Sequence, residues 1–308
     1  MSISSNSFFH FTSGREVALL GILQNGFRIS VSHEVIYNTG SQSVFGIPMV
    51  CFCDIPLSVS HEHARNFCQD NVFGLGMNRN WGTRVLHPVQ YYPRQQDVFF
   101  QEHSNYLTNR FLSKDSYDSF KPDSVELAVY NQMDLSSYKI DYTNILAGPG
   151  TLRLNELFGL IKPVDSVYYG FNTDKKEVYI KNKDYIFYNE REWRYVTPNR
   201  KDLKIPYFCQ PHKPDVSQEK NSPDIYVEDW QKSREYFNKL ENYLPFSSTD
   251  LTWIIVDTEE AAKCLVRTIR SSDFKKIGGK PIVDDFEKDQ LIQKVISHER
   301  IMGDVYVH

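Results

Sequence analysis

Two carboxylates and a guanidinium stand close together in Glu190-Arg191-Glu192-Trp193-Arg194, inside the run Tyr188–Val196 of strand-forming residues. Side chains alternate between the faces of a strand, so this spacing puts Glu190, Glu192 and Arg194 on one face and Arg191, Trp193 and Tyr195 on the other. Such a cluster lets an arginine orient one carboxylate of a pair for chemistry. It equally describes a solvated strand face carrying ion pairs of little energetic weight.

A second polar residue sits in an aromatic setting near the start, Phe8-Phe9-His10-Phe11-Thr12-Ser13-Gly14. Alternation puts Phe9 and Phe11 on one face and Phe8, His10 and Thr12 on the other. The turn through Thr12-Ser13-Gly14 opens a helix, where backbone amides can reach a polar ligand. Cys51-Phe52-Cys53 with His61-Glu62-His63 raises the question of zinc. The cysteines share a strand face, but the histidines point apart on a helix and neither pair has metal-site spacing. No metal is expected, and the cysteines read as buried structural residues. Val72-Phe73-Gly74-Leu75-Gly76-Met77 lacks the third glycine and the lysine of a phosphate loop, so its glycines read as room for a close approach to a strand.

The elements that must position these residues follow from periodicity. A strand over Ser7–Ser13 precedes a helix in which Val17, Leu20 and Leu23 recur at helical spacing, closed by Asn25-Gly26. Strands are expected at Arg28–Ser32, Ile47–Cys53 and Val72–Met77, with a helix at Ser58–Cys68 between the last two. Val89–Asp97 reads as strand and turn, Phe99–Phe111 and Ser124–Met133 as helices, and Val167–Gly170, Val178–Lys181 and Asp184–Val196 as strands. The proline-rich stretch Pro206–Pro223 is a loop, and Tyr226–Tyr243 a helix. Leu251–Asp257 is a buried strand before the helix Glu259–Arg270, and Pro281–Val283 precedes a helix at Phe286–Ile296. This predicts an α+β fold in one domain over 1–308. Its sheet core is drawn from 1–98 and 184–270, with a helical or loop insertion at 99–183 and a C-terminal strand-helix extension at 271–308.

Composition bounds the partners. The 308 residues carry a net charge of −4 and include 19 tyrosines and 20 phenylalanines, a balance that favours strands over helical bundles. No global positive field draws the chain to nucleic acid, and a basic run such as Asn199-Arg200-Lys201 reads as solvated surface. The first residues lack the basic and apolar regions of a signal peptide, and no run approaches the ~18–20 apolar residues of a membrane span. Five cysteines, an odd number, do not form a disulfide framework. A cytoplasmic protein without a membrane partner is expected.

Three segments together resemble the AbiGi abortive-infection family: Phe8–Ser13 with Gly21–Phe27, Cys51–Ser58 with Phe73–Gly76, and Tyr188–Val196. In the same order they are also similar to the ADP-ribosyltransferase superfamily. That second resemblance implies a split β-sheet core with NAD as substrate. It assigns NAD binding to His10, Phe11, Thr12, Ser13 and Phe52, with His10 on the adenosine ribose and Phe52 against the nicotinamide ring. Glu192 becomes the catalytic carboxylate that stabilises an oxocarbenium-like transition state, with Glu190 preceding it and Arg194 supporting. The acceptor of ADP-ribose is then a protein or nucleic acid, and His10, Phe52 and Glu192 border one cleft. Together the two resemblances imply first an NAD-dependent ADP-ribosyltransferase-like effector of anti-phage defence. The alternative they leave is a non-catalytic antitoxin or regulatory subunit on the same fold that binds a co-encoded toxin or antitoxin partner.

Overall fold

The computed structural model describes residues 5–13, 15–38, 41–60, 63–64, 72–92, 160–172, 177–197 and 237–305. In chain order the elements are β1 (Ser7–Thr12), α1 (Arg15–Asn25), β2 (Ser30–Asn38), β3 (Ser41–Cys53), β4 (Phe73–Asn78) and α2 (Arg79–Val85). There follow β5 (His87–Pro88), β6 (Gln90–Tyr92), β7 (Ile161–Pro163), β8 (Asp165–Asn172), β9 (Glu177–Ile186) and β10 (Glu192–Val196). The chain continues with β11 (Leu251–Val256), α3 (Glu259–Arg270), β12 (Lys276–Ile277), β13 (Lys280–Pro281), α4 (Asp285–Ile292), β14 (Val295–Ser297) and α5 (His298–Val305). The helices expected at Phe99–Phe111 and Ser124–Met133, the loop Pro206–Pro223, the run Asn199–Lys201 and most of Tyr226–Tyr243 lie outside the described residues, as do His61 and much of Ser58–Cys68.

An eight-stranded mixed sheet organises the protein in the order β14-β11-β4-β1-β3-β10-β5, with β2 paired to β3 off that path. It is antiparallel throughout except where β14 runs parallel to β11. This mostly antiparallel sheet with few helices makes the fold class α+β, as expected. Alternation along β1 sorts its aromatics as expected. Phe8 joins the large core that also holds Leu19, Leu23, Phe52, Leu265 and Ile269, while Phe9 enters a second core with Cys53, Ile55 and Ile255.

Central strand β4 is covered on both faces, and its glycines make room for neighbouring strands. A Cβ on Gly74 would lie 2.8 Å from the His10 carbonyl oxygen and from the Phe11 ring, and one on Gly76 would meet Phe9 and Trp253 at 3.0 Å. The close approach is thus made by the protein's own side chains and backbone.

Several expectations shift. In α1 the buried residues are Leu19 and Leu23, an i,i+4 pair, whereas Val17 is largely exposed. The helix ends as read, because Gly26 takes φ +94, and a Cβ there would lie 2.6 Å from the Leu244 carbonyl oxygen. Short strand readings at Arg28–Ser32 and Ile47–Cys53 become one long hairpin, β2–β3, joined from Ser30↔Met49 to Asn38↔Ser41. Expected strand Asp184–Val196 is broken by a 3₁₀ turn at Phe187–Glu190. The helix expected to reach Ile296 stops at Ile292, because β-branched Val295 and Ile296 add to the edge of β11. Lys294 closes that turn by donating from Nζ to the carbonyls of Ser248 and Leu251. The C-terminal segment therefore supplies a strand of the main sheet, and the strands read at Val167–Gly170 and Val178–Lys181 lie within β8 and β9. Among the described residues no helix is long and apolar enough to cross a membrane.

Candidate functional site

Glu192 opens β10 and pairs across the sheet with Cys53, which pairs in turn with Phe9 of β1. Directly opposed residues share a face. Phe9, Cys53 and Glu192 therefore line one side of the sheet, and Arg194, two residues on, lies there too. Arg194 is fully buried and grips Glu192 in bidentate fashion: Nε donates to Oε1 at 2.9 Å and Nη2 to Oε2 at 2.8 Å. Arg194 thus contacts Glu192 in the interior and not on a solvated face.

Two further groups complete the cluster, and neither stands out in the sequence as a site residue. Lys162 of β7 donates from Nζ to Glu192 Oε2 at 2.9 Å and to Glu190 Oε2 at 2.8 Å. Its ammonium also lies 4.3 Å from the centre of the Phe187 ring, a cation–π contact. Tyr91 accepts the backbone N–H of Glu192 on its hydroxyl at 2.9 Å. The one signal for Lys162 is a lone charge within the apolar run Leu157–Val164. Glu190 reaches Lys162 by a route that strand alternation does not foresee. It ends the 3₁₀ turn, and Arg191 then takes φ 45 and ψ 52, the left-handed region, before β10 begins.

The result is two acids and two bases, all buried, with formal charges that cancel. Burial pushes the Glu192 carboxyl up, but Arg194 and then Lys162 outweigh it and hold the group well below the carboxylate range. Burial pushes Glu190 up; Lys162 opposes that, while the Glu192 charge adds to the rise. The Cys51 thiol hydrogen-bonds Glu192 from the neighbouring strand. Burial, then the charges of Glu190 and Glu192, push the Cys53 thiol well above its ordinary value, and its Sγ donates to the Phe9 carbonyl at 3.3 Å. Cys53 is therefore an inert thiol. His63, beside Phe11, is lowered to about 4, chiefly by burial. Among the described residues no group of three or more His, Cys, Asp or Glu side chains could hold a metal ion.

His10 belongs to the other side of the sheet. Its ring packs edge-on against Phe27 at 5.1 Å and against Phe52 at 5.5 Å. Met49 pairs with both Ser30 and Val196, and Cys53 with both Phe9 and Glu192, so β1 and β2 share one edge of β3 and β10 takes the other. His10 sits at the fork where β3 passes from β1 to β2. There its Nδ1 lies 2.8 Å from the Cys51 carbonyl oxygen and donates to it, replacing a missing ladder bond. Burial holds the ring below the ordinary histidine value, so it is neutral near pH 7. Phe52 is in the core between Phe27 and Trp81. Phe11 and Thr12 end β1 and Ser13 follows it, with partly exposed or exposed side chains. The structure therefore brings Glu190, Glu192 and Arg194 together, and separately His10 and Phe52, with the sheet between the two groups.

The fold and site define a class: an α+β protein built on a mixed, forked sheet, which among the described residues buries a cluster of two acids and two bases with cancelling formal charges. The chain belongs to the AbiGi family, whose model, described as "Putative abortive phage resistance protein AbiGi, antitoxin", matches residues 30–257. It is also similar to the abortive phage resistance protein AbiGi of Lactococcus lactis subsp. cremoris, at 26% identity over 261 residues, covering 84% of this chain and 88% of that relative. No solved structure matches the chain.

Proposed function

We propose that this protein is the non-catalytic antitoxin of an abortive phage resistance system, restraining a co-encoded, growth-inhibiting protein by binding it. Family membership supplies the context. The observation that carries the non-catalytic reading is the state of Glu192. Both of its oxygens accept from Arg194, and one also accepts from Lys162. An ADP-ribosyltransferase-like enzyme using NAD needs that carboxylate free to bond a ribose hydroxyl as positive charge develops. It also needs His10 and Phe52 on the same cleft, whereas the strand register turns them to the opposite face. A carboxylate already neutralised by two buried cations contributes to the fold and not to a transition state.

The test is a pair of titrations on the purified protein. Its co-encoded growth inhibitor should form a stable complex with it and lose toxicity in co-expression, while millimolar NAD should leave the melting temperature unchanged, since only a ligand of the native state raises it. A melting shift with NAD, together with NAD consumption and no complex, would overturn this reading in favour of the enzyme.

A further inference from the structure

Strands β8 and β9 form a two-stranded sheet of their own, outside the ladder of the main sheet. Among the described residues its strands pair only with each other, from Asp165↔Ile186 outward to Asn172↔Glu177. Its two ends enter the molecule side by side. Lys162 lies three residues before β8 and Glu190 four residues after β9, and the 2.8 Å bond between them crosses the neck of the hairpin. Tyr188 N–H donates to the Val164 carbonyl across the same neck at 3.1 Å, and the Phe187 ring lies under the Lys162 ammonium. The second bond of Lys162, to Glu192, ties the neck to β10 and so to the main sheet. Drawing both carboxylates onto one ammonium is accompanied by the one left-handed non-glycine residue among those described, Arg191, a conformation that a side chain makes unfavourable.

We propose that Lys162 is a clasp: by holding Glu190 across the neck and Glu192 on the sheet, it fixes the β8–β9 hairpin as a rigid arm, and breaking the clasp frees the arm while the sheet stays folded. Glu192 keeps its bidentate Arg194 when Lys162 is lost, so β10 retains a neutral pair. Among the described residues the side-chain hydrogen bond of Glu190 is the one to Lys162, the more distant Arg194 charge adding to it, and the strain at Arg191 then favours release. The hairpin is the element set free, because the clasp joins its two ends.

Hydrogen exchange read by mass spectrometry tests this on the full chain. The variant Lys162→Met with Glu190→Gln removes one charge of each sign and leaves Glu192 with Arg194. Amides of 165–172 and 177–186 should exchange about tenfold faster or more, with β1, β3, β4 and β11 unchanged. Unchanged exchange in the hairpin, or equal acceleration throughout the sheet, would overturn the clasp. Should the double variant lack a cooperative melt, Glu190→Gln alone, which keeps Lys162 on Glu192, is read by the same two criteria.

Discussion

At the residue scale, the chemistry of this protein is set by what surrounds each ionisable group rather than by which groups are present. Glu192 and Arg194 could be recognised in the sequence as a pair, because period two in a strand places them together. Their burial could not be, since it depends on Lys162 arriving from β7, 30 residues earlier in the chain. His63 is the group whose environment has a consequence in an accessible pH range. Its value falls from 6.5 to about 4 on folding, mainly through burial. The unfolded chain therefore binds the proton more tightly, and stability present above about pH 6.5 is lost as pH falls towards 4. The ceiling on that loss is about 3 kcal/mol, at ~1.4 kcal/mol per unit, and it is reduced because His63 keeps some solvent contact. Urea unfolding at pH 7 and pH 5 should show a lower midpoint at pH 5, and His63→Gln should shrink the difference. An equal pH dependence in the variant would assign the effect to other groups.

At the element scale, what the sequence disclosed depended on whether local chemistry or a distant partner fixed the element. Helix α3 was legible to its ends because Thr258 caps Ala261, acids fill its first turn and Arg267 and Arg270 its last. Strand β14 was not, because Val295 and Ile296 become a strand only against β11. The interruption at Phe187–Arg191 was hidden for the same reason, since it answers to Lys162 and to Asp54, whose N–H donates to the Arg191 carbonyl at 3.0 Å. The stop of α1 was legible because Asn25-Gly26 is itself the signal. Gly26→Ala should therefore destabilise the protein by at least ~1 kcal/mol, because φ is positive and a Cβ would sit 2.6 Å from the Leu244 carbonyl oxygen. Chemical denaturation measures this directly, and a neutral result would mean that the segment at Leu244, bridged to Phe27, yields at little cost.

At the scale of the whole molecule, the sheet separates two groups of residues that the sequence placed on one surface. The three blocks form adjacent strands, β1, β3 and β10. Their register, with Phe9, Cys53 and Glu192 in one row, decides that His10 faces away from Glu192, and register is not readable from motifs alone. The central claim is that Glu192 serves the fold and not a reaction, and one measurement addresses it: growth rescue by Glu192→Gln/Arg194→Met co-expressed with the growth inhibitor, with thermal melts recorded alongside. Glu192→Gln alone strands buried cations and should cost about 3–5 kcal/mol. The double variant removes both charges of the pair, leaves Lys162 with Glu190, and should recover most of that loss. The expected result is a folded double variant that binds the inhibitor and rescues growth like the wild type. A double variant that melts normally and binds the inhibitor, yet no longer rescues growth, would contradict the claim and return Glu192 to a catalytic role.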